Sequence, residues 1–219
     1  MQIAILLFDR LTALDAIGPY EVLSRLPAQL DFVAAKPGIV RTDTDRLGLE
    51  AGRSIGEVAS PDVIVVPGGE GNRPLLRDEP VLNWLRSAHR DSRYTTSVCT
   101  GALVLGAAGI LDGLNATTHW AYLDHLTSFG ATPVAERVVE DGKVITAAGV
   151  SSGIDMALHL ASRLAGDDAA RAIQLGIEYD PDPPFDAGSP HKAPGHLVDA
   201  IRKLEQFSDL RAPQTQKPV

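Results

Sequence analysis

Cysteine occurs once in the 219 residues, at position 99 in Thr95-Thr96-Ser97-Val98-Cys99-Thr100-Gly101-Ala102-Leu103, where an apolar, β-prone run gives way to small residues in a helical pattern. A side chain at such a strand-to-helix turn projects above the sheet edge. The N–H groups of a helix start favour a thiolate over a thiol and could hold an oxyanion. Cys99 is therefore a candidate nucleophile, with a buried cysteine acting as a small hydrophobe as the alternative.

Two further junctions carry groups that could serve it, Leu14-Asp15-Ala16-Ile17-Gly18-Pro19 and Pro67-Gly68-Gly69-Glu70-Gly71. Asp15 stands either as the N-cap of a helix or as a carboxyl that exchanges protons with the cysteine once desolvation raises its pKa toward neutrality. Gly69 lets the backbone approach a ligand closely, and its N–H could pair with that of Thr100 or Cys99 as an oxyanion hole. A plain tight turn is the other reading. His119, in Ala116-Thr117-Thr118-His119-Trp120, is the histidine nearest a strand end and is read either as a partner for Cys99 or as a hydrogen-bonded structural residue. No His, Cys or carboxylate pair has zinc spacing, and neither a calcium loop nor a phosphate-cradling glycine pattern occurs, so chemistry without metal or cofactor is expected.

These residues need a frame that brings strand ends together. Ile3 to Phe8, Asp31 to Ala35, Asp62 to Val66, Tyr94 to Val98 and Val144 to Ala148 read as strands. Tyr20 to Leu26, Val81 to His89, Gly101 to Ala108, Ala121 to Phe129 and Gly153 to Leu164 carry apolar residues at helical spacing. The alternation predicts an α/β fold, a mostly parallel sheet with helices on both faces, whose ligands gather at the carboxyl ends of the strands. Residues 39 to 58 read as a β-excursion and Pro133 to Lys143 as a hairpin turning at Glu140-Asp141-Gly142. Tyr179 to Pro194 contains five prolines and reads as an extended connector to a helix from about Leu197 to Phe207.

Length and composition, with 44% apolar and 22% charged residues, predict one globular domain over 1–209 and a fraying tail over 210–219. The net charge of -8, with no basic cluster longer than Arg202-Lys203, disfavours direct nucleic-acid binding. Ile3 to Phe8 is too short for a membrane span and lacks the flanks of a signal peptide. With the single unpaired cysteine, that predicts a cytoplasmic protein with no membrane partner.

Taken together, Val65-Val66-Pro67-Gly68-Gly69, Thr96-Ser97-Val98-Cys99-Thr100-Gly101 and Ala116-Thr117-Thr118-His119-Trp120 resemble the ThiJ/PfpI superfamily, from about Ile3 to Pro190. That resemblance implies a class I glutamine-amidotransferase-like, flavodoxin-like fold with a nucleophile elbow at Cys99. Leu14 to Pro19, Gly149-Val150-Ser151-Ser152-Gly153-Ile154-Asp155 and Glu178 to Pro190 are further similar to its isocyanide-hydrating branch. In many relatives the acidic residue near the cysteine is glutamate, so Asp15 points to that branch. The resemblance implies Cys99 as nucleophile, Asp15 as general acid and base, and Thr100 as the residue that orients Asp15 or water. Val150 matches a β-branched residue near the cysteine that is isoleucine in that branch.

The implied activity is a cofactor-independent lyase reaction, isocyanide to N-substituted formamide through a Cys99 thioimidate. Ile17, His119, Trp120 and Val150 would line the pocket or belong to the core, and a homodimer is implied, with the prolines after Tyr179 near the contact. Competing readings are a redox or stress-response protein whose Cys99 becomes a sulfinate, and a regulatory module without catalysis. Proteases of related design carry histidine where this chain has Thr100, so proteolysis is the weakest reading.

Overall fold

Val63 to Val66 is four β-branched residues in a row, all buried, the pattern of a strand covered on both faces. The computed structural model describes residues 1–206, so the tail expected over 210–219 lies outside the described residues. In chain order these are β1 (Gln2–Leu6), α1 (Ala13–Leu23), β2 (Gln29–Ala34), β3 (Gly38–Arg41), β4 (Gly48–Ala51), β5 (Arg53–Ser54), β6 (Val63–Val66), α2 (Asn72–Leu75), α3 (Glu79–Asp91), β7 (Tyr94–Val98), α4 (Gly101–Ala107), β8 (Asn115–Ala116), a 3₁₀ segment (Trp120–Phe129), β9 (Thr132–Pro133), β10 (Val138–Asp141), β11 (Val144–Ala147), α5 (Ser152–Ala165), α6 (Asp167–Gly176) and α7 (Gly195–Gln206). They fall into two compact units, Met1–Asp180 and a second beginning at Pro181 that carries α7.

In the first unit, seven strands pair in the order β10-β11-β7-β6-β1-β2-β5. Every pairing is parallel except β10 with β11, whose register sets Asp141 opposite Val144 across a Gly142-Lys143 turn. Strand succession runs one way from β1 to β2 and the other way from β6 to β7 to β11. The reversal opens a crevice above the carboxyl ends of β1 and β6, beside β7. Helices cover both faces, as expected. Side chains alternate along β7, and Val98 packs against Gly153 of α5 while Thr95 reaches His89 of α3 on the opposite side.

Three elements differ from the sequence reading. The helical apolar spacing begins at Tyr20 and Asp15 is a candidate cap for that helix, yet the helix begins at Ala13, runs through Gly18 and Pro19 and ends at Leu23. A Cβ on Gly18 would lie 3.1 Å from Ile154 Cγ1, and one on Gly153 would lie 3.3 Å from Pro19 Cδ. The small residues thus let α1 and α5 approach closely, and packing outweighs the helix hydrogen bond that Pro19 cannot donate to the Asp15 carbonyl. Trp120–Phe129 winds as 3₁₀ rather than α. Finally, α6 follows α5 directly, where no helix was expected, and Ala170 is its single buried residue. No described helix is long and apolar enough to cross a membrane.

Candidate active site

Cys99 follows the last residue of β7 with φ 55°, a left-handed conformation unusual for a residue with a Cβ. Two things hold it there. Its N–H donates to the carbonyls of Ala148 at 2.8 Å and Ala147 at 3.2 Å, and its carbonyl accepts the Thr118 hydroxyl at 2.8 Å. The turn then enters α4 without room for a side chain, since a Cβ on Gly101 would sit 2.1 Å from the Val66 carbonyl oxygen. The chain makes a sharp elbow with the sulfur held at its apex.

Asp15 is not the cap of α1. Thr12 occupies that position, and Asp15 lies in the first turn with 0% of its surface exposed. Its Oδ2 accepts the Gly68 N–H at 2.8 Å, and Oδ1 is buried without a conventional hydrogen bond. Burial raises its pKa to about 7, overcoming the Gly68 amide and the Cys99 thiol, which favour the ionised form; Asp43, linked to Thr12 Oγ1 at 2.8 Å, pushes further upward. Gly68 is required for this approach. A Cβ there would stand 2.5 Å from the Thr100 nitrogen and 3.0 Å from Asp15 Oδ2.

The cysteine departs from expectation in its protonation. The helix start was expected to favour the thiolate, but Cys99 is only 6% exposed, and burial first, then the Asp15 charge, raise its pKa well above the ordinary value. The N–H and hydroxyl of Thr100 and the N–H of Val150 oppose this without reversing it. Desolvation wins because a handful of donors cannot replace bulk water around a thiolate. The resting pair is a neutral thiol beside a carboxyl poised near neutrality, and moving the proton from sulfur to Asp15 leaves the pair's net charge unchanged.

Gly69 reaches the site differently from the oxyanion pairing considered for it. Its N–H donates to Thr100 Oγ1 at 3.0 Å, leaving that hydroxyl's own hydrogen to point toward the sulfur. The main-chain donors at the sulfur are Thr100 and Val150. Val150 and Ile17 are half-buried. His119 places its ring edge against the Gly149 turn, where a Cβ would be 3.2 Å from its Cδ2, and its ring lies 5.5 Å from that of Trp120. Buried Asn72 donates to the Thr100 carbonyl at 3.1 Å, a support that neither its residue type nor its position announced in the sequence. Among the described residues no group of three or more His, Cys, Asp or Glu is placed to hold a metal ion.

An elbow cysteine, a buried acid and an amide-lined crevice can add a thiol across a small electrophile and carry its proton. The profile described as the DJ-1/PfpI family matches residues 1–163. An isonitrile hydratase of Pseudomonas putida is 49% identical over 203 residues, which cover 93% of this chain and 89% of the hydratase. A crystal structure of a THiJ/PfpI family protein from Pseudomonas syringae matches with a TM-score of 0.92 at 37% identity, over 95% of this chain and 88% of that one. The HTH-type transcriptional regulator CdhR of Pseudomonas aeruginosa is 30% identical over 178 residues, 78% of this chain and 52% of the regulator.

Proposed function

The chain belongs to the DJ-1/PfpI family, and we propose that within it this protein is an isonitrile (isocyanide) hydratase that converts R–N≡C and water to the N-substituted formamide. The observation that carries the reading is the buried Asp15 beside the Cys99 thiol, together with 49% identity to an isonitrile hydratase across 93% of the chain.

The terminal carbon of an isonitrile is divalent and electrophilic. As the Cys99 sulfur bonds to it, ionised Asp15 takes the thiol proton and delivers it to that same carbon, giving the thioimidate R–N=CH–S–Cys99. Thr100 and Val150 stabilise charge on sulfur while it forms. Asp15, again a carboxylate, takes a proton from water as the hydroxyl adds to the carbon and passes that proton to the nitrogen, giving R–NH–CH(OH)–S–Cys99. Collapse of the tetrahedral adduct breaks the C–S bond, releases R–NH–CHO and returns the proton to sulfur. No electron is gained or lost overall, and no cofactor enters the scheme.

Ile17 and Val150 supply an apolar wall for R, and His119 with Trp120 a second, adjoining the Gly149 turn. The working form in this proposal is a cytoplasmic homodimer. A thiol-oxidation role is less favoured by the same burial, because redox-sensing cysteines are exposed and acidic.

The test mixes the purified protein with an aryl isonitrile and follows formamide formation by absorbance. Turnover that vanishes in Cys99→Ala supports the reading. No turnover by the folded parent protein, or undiminished turnover in Cys99→Ala, would overturn it.

A further inference from the structure

The Val150 N–H is one of three groups that draw charge onto the Cys99 sulfur, and it belongs to the turn between β11 and α5, outside the elbow itself. What holds that turn lies on the edge strand side. The Arg137 carbonyl accepts the Ala148 N–H at 3.0 Å, just before Gly149, and the Arg137 guanidinium donates to Ser151 Oγ at 3.3 Å, just after Val150. One residue thus grips both sides of the Gly149-Val150 pair.

The guanidinium is itself fixed. Its Nε donates to Asp155 Oδ2 at 2.7 Å and its Nη2 lies 2.5 Å from the same oxygen, while the Tyr179 hydroxyl donates to it at 3.1 Å. Asp155 is in the first turn of α5, where a carboxylate also complements the helix dipole. The next two positions on that face continue the attachment, since Glu140 of β10 accepts His159 Nε2 at 2.7 Å and Arg163 Nη2 at 2.8 Å. An exposed ion pair alone would contribute little, but two guanidinium nitrogens on one carboxylate oxygen that also accepts the Tyr179 hydroxyl, with a further contact to Ser151 Oγ, specify geometry.

We propose that Arg137, Asp155 and Tyr179 form a positioning clamp for the nucleophile: they fix the Gly149-to-Ser151 turn so that the Val150 N–H stays on the Cys99 sulfur. None of the three needs to touch substrate. The inference rests on the reading of Cys99 as the reacting group, but it concerns the thiol and the turn, so its test is independent of isonitrile turnover.

Because the chain has one cysteine, [13Cβ]cysteine labelling gives a single resonance whose pH titration reports Cys99, and amide hydrogen exchange reports Val150. Tyr179→Phe, Ser151→Ala and Arg137→Met each remove one link, and Arg137→Lys restores a cation. In the first three, exchange protection at Val150 falls, and at a fixed pH below the midpoint the thiolate fraction drops about tenfold, the change for a pKa higher by about one. Arg137→Lys recovers part of both. Tyr179→Phe and Ser151→Ala remove a single hydroxyl each, so they keep the test valid should Arg137→Met fail to fold. An unchanged Cys99 titration in folded Tyr179→Phe and Ser151→Ala overturns the proposal, whether or not Val150 protection changes. Failure of isonitrile hydration with the titration shift present would instead strike the proposed reaction and leave the clamp standing.

Discussion

The two ends of β7 treat buried polar groups in opposite ways. At the amino end, Thr95 Oγ1 meets His89 Nδ1 at 2.9 Å and Ser92 Oγ at 3.0 Å, and Lys143 Nζ caps α3 through the carbonyls of His89, Arg90 and Ser92. At the carboxyl end, Ser97 Oγ and Asp15 Oδ1 are buried without conventional partners, Cys99 has a left-handed backbone, and two acidic hydrogens sit in a desolvated pocket. One strand therefore carries a region that lowers the free energy of folding and a region that raises it. Polar atoms left unsatisfied in an otherwise well-paired molecule mark where stability has been given up for reactivity.

The contrast is sharpest for Asp15→Asn. Below the ordinary carboxyl pKa of 3.8 both folded and unfolded chains hold the Asp15 proton; between 3.8 and about 7 only the folded chain holds it, so stability falls as pH rises through that window. The loss approaches about 4 kcal/mol above the upper limit. Urea unfolding at pH 4, 6 and 8 should show this slope in the parent and its absence in Asp15→Asn, with turnover lost in the variant; matching slopes would dissolve the contrast. Gly68→Ala, whose methyl would stand 2.5 Å from the Thr100 nitrogen, should cost about 3 kcal/mol and turnover together. At the other end the two readouts should separate. Thr95→Val, which takes the hydroxyl partner from His89 Nδ1 and leaves Ser92 Oγ only the His89 carbonyl, should cost about 2 kcal/mol in the same unfolding assay with turnover intact. Lys143→Met, which uncaps α3, should cost about 1 kcal/mol and leave turnover unchanged.

Much of this arrangement was legible in the sequence because it is written in short-range patterns. Tyr94–Val98 coincides with the expected strand, Gly101 opens the expected helix, and the strand ends bearing Asp15, Gly68 and Cys99 converge as the alternation requires. What escaped depends on distance through space. Asp15 looked like a cap because its burial is created by residues far along the chain, among them Gly68. The thiol looked acidic because a helix start is visible in sequence whereas desolvation is not. The turns of α1 before Tyr20 lay outside the apolar spacing because the α5 glycine that accommodates Pro19 lies more than a hundred residues away. Thr118 and Asn72, which hold the elbow's carbonyls, belong to residue types too common in loops to stand out.

The borders of the seven-strand sheet have a consequence beyond catalysis. An open sheet ends in two rows of unsatisfied amides and carbonyls, which invite strands from other molecules to add on and seed fibrils. Here one border is β5, only two residues long, and the other is β10, four residues long and ending in Glu140 and Asp141. Asp141 accepts the main-chain N–H of Asn115, while Glu140 is tied to α5. An incoming strand would find a short ledge at one side and charged, occupied side chains at the other. The pairing of Glu140 with His159 and Arg163 of α5 thus keeps charged groups on this edge, a feature that discourages strand addition.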